Sequence, residues 1–375
     1  MATVLRDDRK SDPVLNRVHD RPVSNFAEAR SVLRNDSLLQ AGFRADLIAR
    51  FGNPRYAPIL FQHGERHRGQ RAATARFFAP RTVDTKYRVL IEEESRRLLS
   101  ELQTSGEGRL DQLTLRLAVF VAAEIVGLTE SDTAGMASRL EHLLSPDAAT
   151  SGGTVIDLAR FLRAQGHMWL FFARDVLPAQ RARRAAPRDD VISHLLAEGY
   201  GPRALLTECV TYAAAGMVTT REFISMAAWH LLQNDDLRRR FVAADERARI
   251  EILEEILRLE PVVGTLRRQT PDGAQAFAID VRAANTDPQA MGACPFHIDA
   301  ERERAERVPG SGLAFGDGSH RCPGASVALL EAAIFLGELF RLPGLALVRE
   351  PTLRWNPLIH GYEVRDFAIA CSPTE

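Results

Sequence analysis

Phe315-Gly316-Asp317-Gly318-Ser319-His320-Arg321-Cys322-Pro323-Gly324 is the stretch on which the reading of this chain turns. It sets one cysteine in a turn made of glycines and a proline, immediately ahead of an apolar run. Leu329, Leu330, Ile334, Phe335, Leu336 and Leu339 then recur at helical spacing, so Cys322 stands at or just before a helix N-terminus. That end of a helix carries partial positive charge and free N–H groups, and both favour a thiolate over a thiol.

Several chemistries compete for such a cysteine. A lone cysteine ahead of a buried helix is most often a small hydrophobe. A zinc site would need further ligands at short spacing, and the chain has no C-x-x-C partner for His320-x-Cys322. A dinucleotide fingerprint fails because Arg321 stands where the third glycine belongs. A thiolate with backbone donors aimed at it is also a good axial ligand for haem iron. The ten residues together resemble the cysteine-ligand loop of the cytochrome P-450 family of haem-thiolate monooxygenases, F-x-x-G-x-x-x-C-x-G with a histidine two before the cysteine. The resemblance implies a mainly α fold, a large helical body with a small β-rich region. It also implies haem b (iron protoporphyrin IX) between a long central helix and the cysteine-loop helix. Phe315, Gly316, His320 and Gly324 would then border the cofactor, with Cys322 on the iron.

At 375 residues the chain is long enough to bury a large core and a cofactor. A net charge of −1 gives no reason to expect a nucleic-acid partner. The cysteines, Cys209, Cys294, Cys322 and Cys371, have no framework spacing, which fits a reducing cytosol without disulfides. Residues 1–20 read as a polar arm with neither a signal peptide nor a spanning helix, and 21–375 as one haem-thiolate catalytic domain. A cytoplasmic protein without membrane attachment is the expectation, similar to the soluble bacterial members of the family.

Helical periodicity covers 25–34, 68–78, 84–103, 112–127, 154–175, 203–232, 246–259 and 325–340. Strand patterns are short: Gly264 to Arg268, Ala276 to Val281, Leu345 to Val348 and Phe367 to Cys371. Pro178 to Asp190 reads as a basic connector and Ala300 to Gly312 as a charged irregular loop.

Three further motifs extend the resemblance. Glu255 and Arg258, at i and i+3 on one helix, can pair; their place before Pro261 and the cysteine loop resembles the family's E-x-x-R, a buried structural pair. His67 and Arg71 share a helical face in a stretch ending Phe77-Phe78-Ala79-Pro80-Arg81, similar to the family's H-x-x-x-R helix. By that likeness His67, Arg71, Arg267 (or else Arg268) and His320 would hold the haem propionates. In 203–232, roughly 45 Å of helix at 1.5 Å per residue, Ala215-Gly216-Met217-Val218-Thr219-Thr220 resembles A-G-x-[D/E]-T-T on the distal haem face. Thr219 would manage protons there, beside Gly216 and Ala215. Val218 replaces the usual acid, and Glu222 is the candidate to stand in for it through water. Ala214, Ala215, Met217, Val262, Val263, Leu266, Leu358 and Ile359 are expected to wall an apolar pocket.

The implied function is monooxygenation of a small organic, secondary-metabolite substrate, using O2 and electrons from a ferredoxin/ferredoxin reductase-type donor. That donor is expected to meet Arg68, Arg76 and Arg321. Two other readings stay open: oxidative aromatic cross-linking of a peptide-derived substrate, and haem binding without turnover.

Overall fold

The computed structural model describes residues 20–42, 57–144, 154–357 and 359–373, with the backbone alone for 154–161. Leu358 and residues 1–19 of the expected arm lie outside the described residues. Among the rest, helices dominate and the strands are short, as the periodicity predicts. The expected helices appear at Phe26–Arg34, Gly64–Phe78, Arg88–Ser105, Leu110–Val126, Thr154–Phe171, Glu246–Leu259 and Ala325–Leu339. One of the two longest runs among the described residues is Pro202–Tyr212, a π-helical stretch Ala213–Val218 and Thr219–Gln233, joined without a break. This central helix packs against Leu110–Val126 and Ala325–Leu339, deep in the main apolar core.

Three small sheets flank the body. β1 (Asp20–Val23), β2 (Leu39–Gln40), β4 (Thr265–Gln269) and β5 (Ala276–Asp280) form one, in the order β1-β5-β4-β2. β3 (Glu107–Arg109), β6 (Ala346–Arg349) and β9 (Ala368–Ala370) form a second, and β7 (Thr352–Asn356) pairs with β8 (Gly361–Arg365). β1, β2, β3, β7 and β8 were not among the strand patterns, because two- to five-residue strands carry too little alternation to stand out.

One expected connector is a helix. Leu177–Ala185 continues from a π-helical turn at Phe172–Val176, and Pro178 sits in its first turn, where the missing N–H costs little. Arg183, from the basic run, is 2% exposed and is held by Asp190 and by Glu130 at 2.8 Å. Tertiary partners turned a charge-rich segment inward. Thr133–Leu143 and Asp235–Ala243 were also missed, although Asp132 and Asn234 cap their N-termini in the standard way.

The Glu255–Arg258 pair is fully buried. Arg258 donates to Glu255 at 2.7 and 2.9 Å, and also to the carbonyls of Asn285, Pro295 and His297. Glu255 additionally accepts from the Asp299 N–H at 3.1 Å and from Arg302 at 3.3 Å. The irregular loop expected over Ala300 to Gly312 is thereby ordered by side chains in place of a backbone ladder. Removing one member of a buried pair strands the other charge, at a cost of about 3–5 kcal/mol. Glu255→Ala is therefore expected to lose that much stability in denaturant unfolding. Glu251→Ala, which breaks the exposed pair with Arg247, should cost no more than about 0.5 kcal/mol. Equal effects would mean that the pair is not a keystone.

Candidate functional site

The cysteine loop closes on itself before its helix begins. The N–H of Cys322 donates to the Phe315 carbonyl at 2.8 Å, and that of Gly316 to Leu313 at 2.8 Å. Gly316 and Gly318 lie at φ 67° and 69°, in the left-handed region that favours glycine. At Gly318 a Cβ would also come within 2.6 Å of the Leu33 carbonyl oxygen, so the loop rests against the end of Phe26–Arg34. Arg30 and Arg34, one turn apart, both donate to Asp317 at 3.0 Å and pin it there. Asn285 ties the loop to the buried pair: its Oδ1 accepts from Leu313 N at 2.7 Å while its Nδ2 donates to the Arg258 carbonyl.

Gly324 caps Ala325–Leu339, so Cys322 stands just ahead of that helix as expected. The net effect on the thiol is the reverse of the expectation. Burial pushes its pKa up, and the Gly324 N–H, Arg71 and Arg321 offset this only in part. Desolvation outweighs these donors and charges in the protein alone.

Cys322 faces a cavity of about 870 Å³ between the cysteine helix and the central helix. Ala215, Gly216 and Thr219 line it, as do Phe315, Gly316, Gly324, Ala214, Val262, Val263, Leu266 and Ile359. The Thr219 hydroxyl donates to the Ala215 carbonyl at 2.6 Å within the widened π turn, a form often found at functional sites. Met217 and Val218 do not line it: they are 0% and 3% exposed and pack into the core. At 100° per residue Met217 falls on the far side of the helix from Ala215 and Thr219, so its expected place on the pocket wall is incorrect. Glu222 is not available either. It is fully buried, accepting from Arg221 at 2.8 Å, Arg365 at 2.9 Å and the Val364 N–H at 2.6 Å.

Cationic groups collect at one end of the cavity. His67 and Arg71 come from Gly64–Phe78, His320 from the cysteine loop and Arg268 from β4. The rings of His67 and His320 stack with centroids 4.1 Å apart, and Arg71 donates to the Arg321 carbonyl. Arg267, the first choice from sequence, is turned away: it donates to Asp20 at 2.7 and 2.8 Å and to the Ala41 carbonyl. A strand sends successive side chains to opposite faces, so Leu266 and Arg268 reach the cavity and Arg267 cannot. Arg268 is 3% exposed, hydrogen-bonded to Gln40, and burial lowers its pKa to about 10. Burial likewise lowers Arg71, His67 to about 4 and His320 to about 2, with the neighbouring cations adding to both histidines. None of the four has a carboxylate partner among the described residues. Sequence reasoning also missed Glu331 on the cavity lining, although an acid between Leu330 and Ala332 in the apolar run was a signal.

No family model matches the chain. It is 30% identical over 297 residues to the cyclomarin C epoxidase CymV of Salinispora arenicola, covering 73% of this chain and 70% of that one. It is 29% identical over 322 residues to the biotin biosynthesis cytochrome P450 of Bacillus subtilis, covering 80% and 76%. The solved structure of CalO2 superposes with a TM-score of 0.79 at 23% identity, over 98% of this chain and 96% of that one, which speaks for the fold. A mainly helical body, a cysteine loop facing a cavity beneath a long central helix, and these relatives lead to one assignment: the chain belongs to the cytochrome P450 family of haem-dependent oxidoreductases.

Proposed function

We propose that residues 21–375 act as one catalytic unit that binds haem b and inserts oxygen from O2 into a small, mainly apolar organic molecule. One observation carries the reading: Cys322 and four unneutralised cationic or imidazole groups converge on a single cavity. Desolvated guanidiniums without carboxylate partners are costly, and a dianionic ligand would relieve that cost. Haem fits this requirement, with two propionates at one edge and an iron that takes a thiolate. Room for a flat macrocycle fits too. A Cβ at Gly216 would meet only Ala122 at 3.7 Å, and one at Gly324 only the Cys322 sulfur at 4.0 Å. Neither glycine is demanded by contacts within the chain, so each leaves space toward the cavity.

In this reading Cys322 holds the iron, and Arg71, Arg268, His67 and His320 hold the propionates, with Arg268 in the place expected for Arg267. When bound, haem supplies the activation of O2. The chain's own residues orient the substrate and exclude water: Val262, Val263, Leu266, Ile359, Ala214 and Ala215 form an apolar wall. Thr219 keeps a hydroxyl at the cavity face beside Gly216, held at the Ala215 carbonyl and able to hydrogen-bond an oxygen there. Relatives named for epoxidation and for mycinamicin hydroxylation or epoxidation support a secondary-metabolite substrate. Exposed Arg68, Arg76 and Arg321 support docking of an acidic, ferredoxin-type electron donor.

The reduced carbon monoxide complex should absorb at the long wavelength typical of thiolate ligation, and Cys322→Ser should abolish that band. Dependence on Cys209, Cys294 or Cys371 instead would sink the assignment.

Arg268→Ala is expected to raise haem dissociation about tenfold or more, since a charge-assisted hydrogen bond contributes about 1.5–3 kcal/mol. Arg267→Ala should leave haem affinity nearly unchanged, because it breaks only the contact to Asp20 and Ala41. Transfer of haem to an apo-globin acceptor reads both rates, and the reverse ranking would restore Arg267 to the site.

Turnover supported by a separate ferredoxin should weaken as salt rises, because exposed charges are screened beyond roughly 10 Å at 0.1 M. Rates independent of ionic strength would remove the electrostatic part of the docking proposal.

A further inference from the structure

Glu208, on the first stretch of the central helix, is fully buried, yet it does not line the cavity. Its carboxyl sits behind the wall, where two other elements meet that helix. The N–H of Ile59 donates to Oε1 at 3.2 Å, and the Gln70 side-chain amide donates to the same oxygen at 3.1 Å. Oε2 is buried and has no hydrogen-bond partner among the described residues. An ionised carboxylate is an acceptor at both oxygens. The one-sided grip suits a neutral acid, whose hydroxyl oxygen costs far less to bury bare than half of a carboxylate.

What this carboxyl holds is part of the cavity. Ile59–Phe61 is a single 3-10 turn, and all three residues line the cavity, as do Val210, Thr211 and Tyr212 of the central helix. None of the three is fully buried, so packing alone holds them weakly. The turn closes on itself through the Phe61 N–H and the Pro58 carbonyl at 2.8 Å, which leaves the Ile59 N–H for Glu208. Gln70 belongs to the helix that bears His67 and Arg71, so one carboxyl joins the turn, the cationic helix and the central helix.

Charged and titratable groups come to this region from several elements. Gly64–Phe78 brings Arg66, the one charge among the described residues that acts on Glu208. Tyr200 precedes the central helix, and Cys209 and Tyr212 lie on it; burial pushes all three upward, so they stay neutral. Of the other elements packed against Pro202–Tyr212, Phe172–Val176 carries Arg174 and Asp175, and Val191–Ala197 carries His194. Leu110–Val126 carries Asp111, Arg116 and Glu124. None of these six acts on Glu208. Burial pushes its pKa from 4.5 up to about 7, against the pull of the two hydrogen bonds and of Arg66.

We propose that Glu208 is a positioning residue of the cavity wall: it clasps Ile59–Phe61 to the central helix, and loss of its proton loosens the clasp and opens the cavity to apolar ligands. That this opening serves substrate entry rests on the function proposed above; the clasp itself needs only the cavity. The sign follows from what happens to the carboxyl. Once Ile59–Phe61 moves away, water reaches it and its pKa returns toward the ordinary 4.5. The clasped form therefore binds the proton more tightly than the open form, and proton uptake favours clasping. Opening becomes easier by up to about tenfold per pH unit from 4.5 to about 7, and levels off above that.

The test uses the haem-loaded full chain and its Glu208→Gln and Glu208→Met variants. Amide hydrogen exchange at Ile59 is followed across the window, each rate divided by that of a free amide, because free exchange itself speeds up with pH. Protection of Ile59 in the wild type should fall as pH rises toward about 7 and then level off. Glu208→Gln keeps an acceptor oxygen without a titrating proton, so protection should remain and its pH slope should vanish. Glu208→Met removes the acceptor and should lose protection at every pH, while amides of Ala325–Leu339 stay protected. On the reduced haem, cyclohexyl isocyanide, an apolar ligand that does not titrate in this range, should bind faster over the same window in the wild type. Both variants should lose that dependence. Two results would overturn the clasp: wild-type Ile59 protection that ignores pH, or a Glu208→Gln protein that keeps the wild-type slope. The Gln variant decides the matter even where Glu208→Met does not fold. Isocyanide binding that ignores pH in the wild type would overturn the control of entry. A wild type without the thiolate band would instead sink the haem-thiolate reading, and the exchange at Ile59 would still decide the clasp.

Discussion

The buried Glu255–Arg258 ion pair is the constraint on which the placement of everything else rests. Neither side chain touches solvent, so each charge must be satisfied within the protein. Glu255 alone does not exhaust the five donors of Arg258, and the remainder gather carbonyls from residues far along the chain. Arg302 repeats the device with the carbonyls of Met291, Ala293, Cys294 and His297. A loop with no strand or helix to satisfy its backbone is thus ordered by two guanidiniums. Asn285 then carries the register from Arg258 to Leu313, and Gly312 must be glycine because a Cβ there would lie 2.3 Å from the Asn285 amide oxygen. Cys322 inherits its position from this chain of contacts and from the grip of Arg30 and Arg34 on Asp317.

The cavity carries opposite electrostatic characters in different parts. Where His67, Arg71, Arg268 and His320 meet, two guanidiniums stand beside two imidazoles, and burial weakens the protonated state of each. Glu331 stands alone on the cysteine helix face, and burial suppresses its charge. The same desolvation that discourages cations in one place keeps an acid protonated in another. An anionic ligand would be drawn to the first.

Much of this was legible in the chain itself, and for local reasons. The glycines of the cysteine loop are demanded by φ angles and by close backbone approach, and such demands are written residue by residue. Most of the longer helices showed their period, Thr133–Leu143 and Asp235–Ala243 excepted, and the three-residue spacing of Glu255 and Arg258 showed that they can pair. β1, β2, β3, β7, β8 and the helix over Leu177–Ala185 were not legible, because partners distant in sequence satisfy their polar groups.

The division is sharpest at single residues. Sequence alone determined that a cysteine loop, a buried pair, a cationic helix and a long small-residue helix exist, since each depends on neighbours within a turn or two. It put Arg267 ahead of Arg268 and was wrong, because only the pairing of β4 with β5 decides which strand face meets the cavity. It placed Met217 on the wrong side, because that expectation followed the small-residue stretch as a block and not the face of it that meets the cavity. It offered Glu222 and passed over Glu331, because what a buried carboxyl does depends on whether an arginine from elsewhere reaches it. Arg365 reaches the first, and no cation reaches the second.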